Sequence, residues 1–122
     1  MSTFDHVDTI PPQQIWDGIV SRAVHGNEMT LTLLELEPNF EVPEHSHANE
    51  QLGILIEGFV TFRIGDETED VRPGGTWRIL GHVPHSVKTG PDGAVIVEAF
   101  SPPRRDDWAA IEPQEPRLAH WP

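Results

Sequence analysis

The chain has 122 residues, a formal charge of −12 and no cysteine. That length buries roughly two-thirds of the unfolded surface around one core, and the missing thiols exclude disulfides, thiolate metal sites and cysteine nucleophiles. With one lysine and seven arginines, only two of them adjacent, the field is wrong for gathering a phosphate backbone, so nucleic acid is not an expected partner.

In chain order, "MSTFDHVDTIPP" (1–12) lacks the basic and apolar regions of a secretory leader and reads as an arm. No stretch approaches the ~20 apolar residues of a membrane span, so a cytoplasmic protein with no membrane partner is expected. Strand-length apolar runs follow: "MTLTLLELE" (29–37), "QLGILIEGFVTFRIG" (51–65), "VRPGGTW" (71–77) and "GAVIVEAF" (93–100). None keeps a helical period, and twelve prolines and ten glycines supply the corners of an all-β sandwich or barrel. "GDETED" (65–70) reads as a solvated hairpin turn. "RPGG" reads as a turn and not a phosphate loop, because no helical pattern follows it. By parity Leu52, Ile54 and Ile56 share one face, and Ile96, Glu98 and Phe100 share another. The closing "EPQEPRLAHWP" (112–122) is poor in β pattern and reads as a second arm, with Leu118 and Trp121 available to dock it onto a neighbour.

The chemistry concentrates in "HSHANEQ" (45–51). His45 and His47 stand at i and i+2, which on a strand puts both rings on one side, near enough to hold one ion. Gln51 has the same parity and an amide oxygen that can add to the set, with Glu50 as its competitor. A second half-site comes from "VPHSV", where His85 follows a proline and competes with His82. His6, His25 and His120 have no supporting context. Neutral ligands would leave a divalent ion its full charge, a local positive site in an acidic protein. Zinc, iron, nickel, manganese and cobalt all suit such a set. Glu98, in step with Ile96 and Phe100, is out of place unless it faces a site or a partner. Arg104 follows "SPP", a rigid turn able to aim a guanidinium at a carboxylate. Trp77 reads as strand core or as a ring stacking on substrate, and Trp16 and Trp108 as packing or interface residues.

"HSHANEQLGILIEG" resembles the first motif of the cupin family, with Gln51 where glutamate usually stands. "GGTWRILGHVPH" resembles the second, whose final histidine matches His85 and leaves His82 in a turn slot. Asn39 replaces the leading glycine of the first motif, and Leu80 and His82 replace the proline and glycine that precede the second histidine. The resemblance implies a single-domain double-stranded β-helix, the jelly-roll cupin barrel. Residues 25–105 would form the barrel, 1–24 an N-terminal arm and first strand, and 106–122 a C-terminal arm. It also implies one divalent transition metal held by His45, His47, Gln51 and His85 in the barrel mouth.

With "EAFSPPRRDDW" (98–108) added, the chain resembles the small pectin- and alginate-degradation cupins that convert unsaturated uronates into linear keto sugars. That resemblance implies an acid at Glu98 and substrate contacts at Phe100 and Arg104. The expectation is a metal-dependent enzyme acting on a small, anionic sugar or keto acid by Lewis-acid and acid/base catalysis. An iron-dependent dioxygenase and a non-catalytic metabolite-binding module are the alternatives. A homodimer is expected, because a jelly roll of this size leaves a sheet face and an edge strand to cover.

Overall fold

A computed structural model of the protein describes residues 3–104 and 120–122. After a short 3-10 turn at Val7–Thr9 come β1 (Gln13–Trp16), β2 (Ile19–His25), β3 (Thr30–Leu36), β4 (Glu41–His45), β5 (Glu50–Ile64), β6 (Glu67–Val71), β7 (Thr76–Ile79) and β8 (His85–Ser101). All strand pairs are antiparallel. Among the described residues no helix is long and apolar enough to cross a membrane.

The two long strands organise the rest. β5 and β8 pair with each other from Glu50↔Ser101 to Ile64↔His85, with irregularities at Leu55/Glu57 and Gly58/Val60. On one side of these breaks the order is β1-β2-β3-β8-β5, with β7 beside β5; on the other, β4 and β6 flank the far halves of β8 and β5. Each long strand thus serves two sheets, and the sheets face each other as a jelly roll. Their inner faces share one apolar cluster that includes Leu34, Leu55, Phe62, Ile79, Val87 and Ile96. Complete burial of a side chain such as Leu55 or Ile79 contributes roughly 1.5–3 kcal/mol.

Parity holds where the reading was made: Ile96, Glu98 and Phe100 all point inward and are buried. Leu52 and Ile54 do share a face, but it is the outer one, because the inward positions of β5 are Gln51, Gly53 and Leu55. Ile56 falls at the irregularity between Leu55 and Glu57. The stretch after β5 differs from the sequence reading. The turn takes only Gly65 and Asp66, and Glu67–Val71 is a strand paired with Val60–Ile64. Gly65 at φ 58° lets two residues reverse the chain with the twist of the flanking strands. The carboxylates of β6 lie exposed on an outer strand, where charge discourages edge pairing. Trp108, Leu118, Asp106 and Asp107 lie outside the described residues.

Candidate metal centre

His45 closes β4 and sits directly opposite His85, the first residue of β8. His47 lies just past β4, in the bend that leads into β5. It reaches the same place with ring centroids 6.0 Å from His45 and 4.9 Å from His85. One nitrogen from each of the three rings can be chosen so that all lie within 4.8 Å of one another.

The hydrogen bonds say which nitrogens these are. Nδ1 of His45, His47 and His85 faces the carbonyl oxygen of Pro43, Asn49 and Val83 at 2.9, 3.0 and 2.8 Å. A carbonyl only accepts, so each Nδ1 carries the proton and each Nε2 presents a lone pair, as in metal-ligating imidazoles. His85 Nε2 is a buried atom without a hydrogen-bond partner, an expensive state unless a ligand completes it. His47 Nε2 meets Gln51 Oε1 at 3.0 Å, while the amide nitrogen of Gln51 donates to Glu98 Oε2. With its proton on Nδ1, a neutral His47 turns a lone pair toward Gln51 Oε1, and a cation between the two atoms would satisfy both. Burial, and next the Arg104 charge, lower the His47 pKa and oppose a second proton. A metal ion at Nε2 fits. Burial foremost also pushes His85 down to about 4, so both rings are neutral ligands near pH 7.

The competing residues separate cleanly. Gln51 is buried and inward, whereas Glu50 is exposed. His82 is exposed, takes the left-handed conformation (φ 68°) and gives its backbone N–H to His47 O at 2.7 Å, so it shapes the turn. Asn39 likewise has φ 51° in the position where the motif has glycine. His6 and His25 are exposed and away from the cluster.

Glu98 stands behind Gln51, 3% exposed, and its Oε2 also accepts from Trp77 Nε1 at 2.8 Å. Burial outweighs these hydrogen bonds and the Arg104 charge, so the carboxyl is pushed up to about 7. Trp77 is core: its ring lies 4.6 Å from that of Phe62, and it is not among the residues lining the cavity beside the histidines. Gly53 makes this possible, since a Cβ there would overlap the indole. A glycine inside a strand was the available signal for that close approach. Phe100 closes the other wall, with the Arg104 guanidinium 5.1 Å above its ring. Arg104 is held by its backbone N–H on Thr30 Oγ1 at 3.1 Å, and Asn49 Nδ2 fixes the preceding turn through Pro102 O. The cavity between these walls, of about 130 Å³, is bordered by His45, Gln51, His85, Glu98, Phe100 and Arg104.

Two participants were not identified from sequence. Trp16, expected as packing or interface, borders this cavity beside His45. On the outer face, Arg22 and Glu35 form a buried ion pair, Nη2 to Oε2 3.2 Å. Arg22 donates to Val7 O and Trp121 O, and Glu35 Oε1 accepts from the backbone N–H of His120 and Trp121. His120 Nδ1 lies 2.6 Å from the same oxygen. Trp121 therefore docks on the chain's own sheet.

A jelly roll with a converging imidazole triad at one end of its inter-sheet space is a β-barrel whose geometry could hold a metal ion. The chain belongs to the cupin family: residues 32–100 match the family model described as Cupin domain. No curated protein matches the chain. In fold it is similar to an RmlC-like cupin from Shewanella frigidimarina, with TM-score 0.80 and 20% identity over 87% of this chain and 96% of that one. KdgF from a Halomonas species gives 0.79 and 18% over 87% and 98%. The polyketide cyclase RemF from Streptomyces resistomycificus gives 0.70 and 24% over 84% and 80%.

Proposed function

We propose that the protein is a metal-dependent enzyme that isomerises or ring-opens a small anionic sugar or keto acid. The observation that carries this reading is the convergence of three imidazoles, each with Nδ1 on a backbone carbonyl, beside a cavity that Glu98 and Arg104 also border. His45, His47, His85 and the Gln51 oxygen would hold one divalent ion, which when bound supplies Lewis acidity toward a hydroxyl or carbonyl oxygen. The Arg104 guanidinium pairs with the substrate carboxylate and sets its orientation. Glu98 accepts and returns one proton. In ring opening of an unsaturated uronate, the anomeric O–H loses its proton as the ring C–O bond breaks. The ring oxygen leaves as an enolate, which the same proton then quenches at carbon, and the formula is unchanged.

The uronate assignment is supported by the likeness of "HSHANEQLGILIEG" and "EAFSPPRRDDW" to the uronate-linearising cupins, with Glu98 in place of the usual aspartate. The test is to follow ring opening of several unsaturated uronates by NMR with metal-loaded protein. Acceleration over buffer that vanishes in the His45→Ala/His47→Ala variant is expected. No acceleration with any of them removes this substrate class. Oxygen uptake with the iron-loaded protein and a keto acid would instead favour a dioxygenase.

A further inference from the structure

The cavity wall narrows the substrate further than the donor set does. Of the described side chains around it, the polar ones are His45, Gln51, His85, Glu98 and Arg104, and all the others are aliphatic or aromatic. Three of those five belong to the metal centre, and Glu98 Oε2 already accepts from Gln51 and Trp77. Among the described residues no serine, threonine, asparagine, aspartate or lysine side chain lines the space. A ligand hydroxyl left unpaired against this wall costs about 1–3 kcal/mol, so the wall favours a ligand with fewer hydroxyls over a saturated, fully hydroxylated one. The space itself is small. Its volume is about 130 Å³.

One aromatic residue stands at the open side. Strand β1 pairs Gln14 with Val20 and Trp16 with Ile19, so Ile15 is bulged. Simple alternation would send Ile15 and Trp16 to opposite faces. The bulge instead lets both border the cavity, a common use of bulges next to sites. Ile15 packs against the core. Trp16 remains 44% exposed, its ring 6.3 Å from that of His45 and within 25° of parallel. A large, partly exposed indole tilted toward a metal-ligating imidazole offers a flat apolar surface to whatever occupies the adjoining position.

Building on the proposed metal-dependent reaction, we infer that the substrate is a small carboxylate flattened by a C=C or C=O bond and with fewer hydroxyls than a saturated sugar acid, and that Trp16 selects it by covering its flat face.

The test titrates Co²⁺-loaded protein with two singly charged acids of similar size, salicylate (flat and apolar) and threonate (saturated and hydroxylated). Binding is read by protein NMR and by the Co²⁺ absorption spectrum. Salicylate is expected to bind at least ~10-fold more tightly than threonate. Trp16→Ala should lose about tenfold in salicylate affinity, leave threonate unchanged and retain the Co²⁺ stoichiometry, while Trp16→Phe keeps most of the affinity. Equal or tighter threonate binding overturns the substrate class, and equal losses for both acids in Trp16→Ala overturn the role of Trp16. The same NMR titrations on metal-free protein separate the two readings. Failure to take up Co²⁺ sinks the metal centre, whereas the salicylate preference and its dependence on Trp16 belong to the wall and should persist, more weakly, without metal.

Discussion

Single side chains carry the site's electrostatics. The purified protein is expected to hold close to one transition metal per chain by elemental analysis. His85→Ala and His45→Ala/His47→Ala should lose it and His82→Ala should keep it, because His82 contributes only a backbone turn. The reverse pattern for His82 and His85 would refute the assignment. Glu98 makes a second test. Its pKa in the folded state is raised to about 7, so folding favours the protonated acid. The resulting stability is fully present below its ordinary value of 4.5 and is lost as pH rises through about 7. Urea unfolding of the metal-free protein at pH 5 and pH 8 should show the wild type losing on the order of 3 kcal/mol relative to Glu98→Gln. His85 runs the other way, its folded pKa being lowered, and the comparison with Glu98→Gln cancels it. Spacing alone located the histidines, since ligand type and interval survive in sequence. Glu98 was marked as misplaced by its pattern and as an acid by the family resemblance, but its partners Gln51 and Trp77 come from β5 and β7, which meet it through pairing that no local pattern encodes.

Strands and turns decide which of these side chains meet. Gly53→Ala should push the Trp77 indole off its seat and break its hydrogen bond to Glu98. Overpacking of this kind costs about 1–3 kcal/mol, which denaturant unfolding would measure. A variant as stable as wild type would mean that the indole has room to move. The strands readable in advance were those with regular alternation, such as Ile96–Glu98–Phe100. β6 was hidden because its run of carboxylates looks like a turn, and the first half of β8 because Gly90, Pro91 and Gly93 look like loop residues. Trp16 was obscured by the β1 bulge, since alternation gives no warning of an extra residue.

Across the whole molecule, two features outside the site set stability and assembly. Val24, Leu31, Ala99 and Leu52 are register neighbours on β2, β3, β8 and β5, and the three larger ones are about half exposed on the outer face. These four carry no charge, the row ending at Arg78, which pairs with Leu52 from β7, in a chain whose net charge of −12 opposes close approach elsewhere. The expected assembly is a homodimer that buries the row against its own copy. Light scattering at micromolar concentration should give twice 13.7 kDa, and Leu52→Glu should give the monomer; a monomeric wild type would rule the dimer out. Arg22→Met strands the buried Glu35 carboxylate and should cost about 3–5 kcal/mol, while Arg22→Met/Glu35→Leu should recover most of that loss. This network could not be read in sequence, because its members lie near residues 7, 22, 35 and 121 and only the β2–β3 register brings the central pair together. One guanidinium grips the carbonyls of Val7 and Trp121, so the polypeptide returns almost to its point of departure. The barrel is in effect a ring closed by hydrogen bonds. A short peptide link between those stretches, with new termini cut at the Gly65–Asp66 hairpin, would preserve every strand pairing in a circularly permuted protein.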